Sequence, residues 1–120
     1  MFQARERIWI VTPYLVPDQT ILNTLCVMSK MGVDVELVVP KKTDLRLVDF
    51  ARRYPLRELH RSGARIWLYK PVMLHAKLIL IDNYTAIVGS ANLDSRSLHL
   101  NYEISLFVYS KEEVGRLENF

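Results

Sequence analysis

The stretch MLHAKLILIDNYTAIVGSANLDSRSLHLNYE, from Met73 to Glu103, constrains the fold more than any other part of the chain. It joins an apolar run to a set of polar residues that a hydrophobic core cannot use. Ala76 to Ile81 has β-branched character and a polar end on each side, which predicts a strand buried on both faces. His75 and Lys77 stand at its entrance. Side chains alternate along a strand, so residues two apart share a face and the imidazole and ammonium point the same way. Asp82 has the opposite parity. A regular strand keeps it from any group that His75 touches, and its carboxylate is expected to fix the following turn at Asn83-Tyr84.

Thr85 to Val88 predicts a return strand that ends in Gly89-Ser90-Ala91-Asn92. Glycine permits close backbone approach, Ser90 and Asn92 carry short side-chain donors, and free amides at such a turn form a nest for an anion. The implied ligand is a phosphate. An imidazole with an ordinary pKa of about 6.5 attacks phosphorus when neutral, or protonates a leaving oxygen if its pKa is raised. Lys77 would neutralise the non-bridging oxygens. Glu103 opens a further strand-like run, Tyr102 to Tyr109, and is either an ordinary surface carboxylate or an acceptor for the second ring nitrogen of His75 that would set its tautomer.

These residues resemble the signature of the phospholipase D superfamily. In order it is His, any residue, Lys, four residues, Asp, six residues, then Gly-Ser and a nearby Asn, carried here by His75, Lys77, Asp82, Gly89, Ser90 and Asn92 without a gap. Asn92-Leu93-Asp94-Ser95-Arg96-Ser97-Leu98, Asn101-Tyr102-Glu103 and the earlier Thr12-Pro13-Tyr14-Leu15-Val16-Pro17-Asp18 resemble the bacterial cardiolipin synthase branch. The resemblance implies a phospholipase D-like fold. It also implies a catalytic set of His75, Lys77, Asp82 and Glu103, and phosphate binding by His75, Lys77, Ser90 and Asn92. The reaction implied is two-step phosphoryl transfer through a phosphohistidine, between two His-x-Lys motifs that face each other across a pseudo-twofold axis. This sequence holds one such motif, so the second is expected from a missing half or from a homodimer partner.

The activity expected from that resemblance is phosphatidyl transfer from one phosphatidylglycerol to the glycerol hydroxyl of another, with glycerol leaving. His75 takes either the nucleophile or the acid role, and the choice of alcohol or water as acceptor separates transferase from hydrolase. No cofactor is expected. Three histidines and one cysteine at spacings unlike zinc sites predict no catalytic metal. The expected partners are anionic phospholipid and a membrane surface, at the bacterial cytoplasmic membrane, held peripherally or through segments absent from this chain. Two other readings stand beside this one. One is a homodimeric phosphodiesterase or nuclease, against which weighs the absence of aromatic residues interleaved with basic ones, so that no nucleic acid is expected. The other is a non-catalytic phosphate-binding fragment.

Composition bounds the rest. At 120 residues the chain is expected to be a single half-domain over 1–120, part of a longer chain, with length enough for a core. Net charge is only +3, but Lys41 to Lys70 holds nine basic and three acidic residues, +6 against −3 elsewhere. Such a block is either an electropositive face for phosphate headgroups or an ordinary solvated helix surface. His60, among those arginines, is expected at the surface. His99 is either a solvent-exposed loop residue or part of the site lining. Cys26 is the single cysteine, so no internal disulfide forms, and it is expected to behave as a small hydrophobe in a reducing compartment. No apolar run approaches the roughly 20 residues that span a bilayer.

In chain order, Phe2 to Arg7 reads as the tail of a helix and Ile8 to Val11 as a strand broken by Thr12-Pro13-Tyr14. Pro17-Asp18 starts a helix that runs to about Met31, with Ile21, Leu22, Leu25, Met28 and Met31 as its core face and Gly32 as terminator. Val33 to Val39 is a strand closed by Pro40. Leu45 to Ser62 is helical with a break near Pro55, Gly63 ends it, Ala64 to Tyr69 is a strand, and Lys111 to Phe120 is a helix. The alternation predicts an α/β fold, a mixed and largely parallel sheet flanked by helices.

Overall fold

The computed structural model describes residues 3–70, 74–89, 93–94 and 105–119. Its sheet is laid out around β1 (Arg7–Val11), in which Ile8 and Ile10 are wholly buried on one face while Trp9 packs on the other. A short β2 (Leu15–Val16) follows. The Asp18 carboxylate then accepts from the Ile21 amide at 2.9 Å and caps α1 (Gln19–Lys30), the expected start. β3 (Asp34–Pro40) lies parallel to β1. Two short helices, α2 (Arg46–Ala51) and α3 (Arg53–Arg61), lead to β4 (Arg65–Tyr69), parallel to β3. The chain then crosses to the other side of β1. There β5 (Leu78–Ile81), β6 (Thr85–Gly89) and, after β7 (Leu93–Asp94), β8 (Ser105–Tyr109) add antiparallel, and α4 (Lys111–Glu118) follows. The main sheet has the order β4-β3-β1-β5-β6-β8, and β2 pairs with β7 in a small parallel ladder.

Strand parity divides the core between two faces. Ile8, Ile10, Val35, Leu37 and Val39 meet Leu22, Leu25 and Met28 of α1 and Leu59 of α3 on one face, with Ile79 and Ile81 at its margin. On the other, Leu80 and Ala86 meet Val114 of α4, with Trp9 and Leu78 beside them. β5 therefore carries core on both sides, as its apolar run requires. The Arg7 guanidinium also pairs with Glu118 and ties α4 to the edge of β1.

Several expectations change. The sheet is mixed, but its parallel part is confined to β4, β3 and β1, and the three ladders from β1 to β8 are antiparallel. Residues 3–6 are turn and bend rather than helix, because the backbone amides of Arg5, Glu6 and Arg7 turn outward to a carboxylate, described below. The signature strand begins at Leu78, two residues later than its apolar run suggests. Met31 is an exposed helix C-cap, whereas Gly32 at φ +95° does end α1. The break in the second helical stretch falls at Arg52. Proline clashes with the carbonyl four residues earlier, so Pro55 displaces the break to Ala51-Arg52 and itself sits in the first turn of α3, where no amide is needed.

Among the described residues Arg52 is the buried cation, 6% exposed. Its two terminal nitrogens donate to the carbonyls of Pro40 and Lys41, each at 2.5 Å, and the Asp49 carboxylate lies 3.4 Å away. Arg52 thus fastens the helix pair to the end of β3. Arg52→Met leaves those carbonyls without their donors and should lower unfolding free energy by about 1.5–3 kcal/mol in urea titration. A change below about 0.5 kcal/mol, the range of ordinary surface substitutions, would show that the clamp contributes nothing.

Candidate functional site

Register brings the polar signature to one end of the sheet. Val11 pairs with Leu78 on one side and with Val38 on the other, so the carboxyl ends of β1, β3 and β4 and the amino end of β5 open in the same direction. Ligands in open α/β sheets collect at such carboxyl ends, where successive strands depart to opposite sides. His75 is exposed and Lys77 half-buried on the segment leading into β5. The Lys77 ammonium donates to the His75 carbonyl at 3.0 Å, which anchors the cation beside the histidine and leaves two of its three N–H groups for a ligand. The Gly89 amide donates to the Lys77 carbonyl at 3.4 Å. That contact extends the β5–β6 pairing by one step and seats Gly89 across from Lys77.

The neighbouring loops are tied to this end. Thr12, 2% exposed, donates through its amide to the Val38 carbonyl and through its hydroxyl to the Tyr14 carbonyl. The Tyr14 hydroxyl donates to Asp44 Oδ1 at 2.5 Å and joins the loop after β1 to the loop after β3. Leu15 and Val16 pair with Leu93 and Asp94, so the stretch after β1 borders a segment only four residues beyond Gly89 in sequence. Sequence reasoning did not find the Tyr14–Asp44 link. The two residues are 30 positions apart, and only their places at the ends of adjacent parallel strands suggest it.

Asp82 lies at the opposite end. Five residue steps separate it from Lys77, roughly 16 Å along a strand. Its carboxylate accepts the backbone amides of Arg5, Glu6 and Arg7 at 3.2, 2.8 and 3.1 Å, in place of the expected bonds to Asn83-Tyr84. Its own amide donates to the Arg7 carbonyl at 2.8 Å. Asp82 also holds φ +53°, a left-handed conformation that Asp tolerates better than most residues. The Asp82 carboxylate is thus directed to the foot of β1, at the other end of β5 from the His75 segment. Asp82 acts on the alignment of β1 with β5.

Burial pushes the Asp82 carboxyl up, but the amides of Glu6, Arg7 and Arg5 and the Arg5 charge outweigh it and hold the group below the usual carboxylate range. His75, Lys77 and Gly89 are thus brought together and Asp82 is not. Ser90, Asn92, His99 and Glu103 lie outside the described residues. Cys26 is half-buried against the core and His60 is exposed, as expected. Among the described residues, no three His, Cys, Asp or Glu side chains converge as a metal site would require.

Comparison with known proteins adds the family context. The family model described as "Cardiolipin synthase, PLD-like domain" matches residues 1–120. Cardiolipin synthase 2 of Bacillus cereus is 42% identical over 114 residues, 95% of this chain, and the chain spans 22% of that relative's length. The phospholipase D family member Nuc from Salmonella typhimurium superposes with a TM-score of 0.84 over 98% of this chain and 76% of Nuc, at 20% identity. The phosphatidylserine synthase of Haemophilus influenzae gives a TM-score of 0.72 over 98% of this chain and 32% of its own, at 19% identity. At such identities the two structures speak for the fold.

The position of Asp82 makes a prediction about stability. Asp82→Ala removes the shared acceptor and strains the left-handed backbone, and should cost about 2–4 kcal/mol in chemical denaturation. Asp82→Asn keeps one acceptor oxygen and the backbone preference and should cost less. Because the folded-state pKa is depressed, the carboxylate's contribution is fully present above the unfolded value of about 3.9 and is lost as pH falls through the folded value. The parent chain should therefore lose more stability than Asp82→Asn on acidification below about pH 4. Equal acid sensitivity of the two proteins would remove Asp82 from this role.

Proposed function

Because this chain belongs to the cardiolipin synthase, phospholipase D-like family, we propose that it contributes one half of a phosphatidyltransferase active site, with phosphatidylglycerol as both donor and acceptor. The observation that carries the reading is the meeting of His75, Lys77 and Gly89 at the carboxyl-end face of the sheet. In the first step an imidazole nitrogen attacks phosphorus, the bond to the departing glycerol oxygen breaks, and a second histidine gives that oxygen its proton. In the second step the same histidine takes the proton of the incoming hydroxyl, whose oxygen attacks phosphorus as the P–N bond breaks. His75 supplies one of these two histidines.

Lys77, with Ser90 and Asn92 of the phosphate turn, neutralises and orients the non-bridging oxygens, and Glu103 orients the His75 ring. The other His-x-Lys motif comes from another part of the protein or from a second copy. The exposed Leu106, Phe107 and Tyr109 on edge strand β8, next to the strand that ends at Gly89, offer apolar surface for such a half to cover. The site works at the bacterial cytoplasmic membrane, where its substrate resides. A second reading is supported by the likeness to Nuc, of whose length this chain covers 76%. In it, two copies pair as a phosphodiesterase and water replaces the acceptor alcohol. Products separate the two, since transfer yields cardiolipin and glycerol whereas hydrolysis yields phosphatidic acid.

His75→Ala in the active protein should lower turnover of labelled phosphatidylglycerol by at least about 100-fold, because no neighbour replaces the imidazole. Activity near the parent level would remove His75 from the mechanism. Acid-labile label trapped on His75 would make it the nucleophile, and label confined to another histidine would make it the acid and base. Turnover should also persist in excess chelator, and loss that zinc restores would overturn the metal-free mechanism.

A further inference from the structure

The basic block between Lys41 and Lys70 does not act as one surface. Arg52 is buried on backbone carbonyls, Arg61 pairs with Glu58, and Arg65 pairs with Asp34 and Glu36 across β3. Of the six others, Arg57 and Lys70 lie elsewhere, while Lys41, Lys42, Arg46 and Arg53, without a carboxylate ion pair among the described residues, line with Asp49 an open groove of about 570 Å³ at the ends of β3 and β4. Beside this groove stands α2, none of whose residues is buried. Leu47 is 79% exposed and Phe50 66%, and Leu45 and Tyr54 flank them with more than half their surface free. Leu47 and Phe50 are three apart on α2 and share a face, while Arg46 and Phe50, four apart, share the adjoining one. The Arg53 guanidinium lies over the Phe50 ring at 5.4 Å from its centroid.

Large apolar side chains on a helix normally turn toward a core, and here they turn to solvent beside a groove lined by cations that hold no carboxylate among the described residues. That combination of protruding apolar groups and cations is complementary to one partner above others, a bilayer whose headgroups carry negative charge. A neutral apolar partner would leave the cations unmatched, and a nucleic acid would leave Leu47 and Phe50 uncovered. We infer that α2 and the groove beside it form a docking face for anionic phospholipid bilayers, with Leu47 and Phe50 entering the interface and Lys41, Lys42, Arg46 and Arg53 meeting phosphate headgroups. The face lies two strands from β5, roughly 10 Å across the sheet, at the same end as Lys77. Docking there would present headgroups toward His75. That last placement rests on the proposed function, whereas the docking itself does not.

The test is flotation of the 120-residue chain with vesicles of phosphatidylcholine alone or with phosphatidylserine added. Phosphatidylserine is not the proposed substrate, so the result is independent of the chemistry at His75. The chain should float with the anionic vesicles and not with the neutral ones, and high salt should release it. Leu47→Ser with Phe50→Ser, at exposed positions that leave the fold intact by circular dichroism, should weaken binding roughly tenfold or more. Reversal of Lys41 and Lys42 to Glu should do the same, while Leu47→Ile with Phe50→Leu should retain binding. No flotation, equal binding to neutral vesicles, or binding unmoved by the serine pair would overturn the inference. So would concentration-dependent self-association that the serine pair abolishes, since the face would then belong to a second copy.

Discussion

The alignment of β1 against β5 is the constraint on which the rest of this structure depends. One carboxylate, Asp82, gathers three consecutive backbone amides at the foot of β1 and returns its own amide to the Arg7 carbonyl. With Ile8 opposite Ile81, the ladder runs without a slip to Val11 opposite Leu78. A shift of one residue would send Leu80 to the face of α1 and Ile79 to that of α4, and would withdraw His75 and Lys77 from the carboxyl end of the sheet. A group at one end of the strand therefore governs the chemistry presented at the other, with no contact between them.

The carboxyl end is itself built by links between loops that are distant in sequence. Thr12 holds the loop after β1 to β3, Tyr14 reaches Asp44, and the β2–β7 ladder draws the same loop toward Leu93 and Asp94. Arg52 anchors the helix pair beyond them to Pro40 and Lys41. The charges sort by role in the process. Some cations of the basic block hold backbone or pair with carboxylates, and Lys41, Lys42, Arg46 and Arg53 line the groove beside α2. A net charge of +3 conceals this division, because paired and unpaired cations count alike in it.

Legibility followed the range of the interactions involved. The start of α1 was readable because Asp18 caps it from within the same turn, and so were its end at Gly32 and the end of α3 at Gly63, where φ is positive. The alternation of β3 and the apolar run of β5 likewise named their strands. Met31 failed because helical periodicity continues one residue past the point at which the cap turns the chain outward. The helix expected before Ile8 failed because the Asp82 carboxylate, more than seventy residues away, outbids local propensity for the amides of residues 5–7. Pro55 was recognised as a breaker, and the break fell at the carbonyl with which its ring clashes.

The sequence by itself determined the family and which residues are candidates for its chemistry. Gapless spacing from His75 through Lys77 and Asp82 to Gly89 and Ser90 marks the family, and strand parity already separates His75 from Asp82. Only tertiary structure decided what each group can reach. Whether Asp82 holds its own turn or the foot of β1, whether Arg52 faces a ligand or two carbonyls, and whether Leu47 and Phe50 enter a core or solvent all depend on which strands become neighbours. Parity along a strand and position in a helix are local, periodic properties of the chain. Neighbourhood is set by the burial of two opposite sheet faces at once, and no window of sequence contains it.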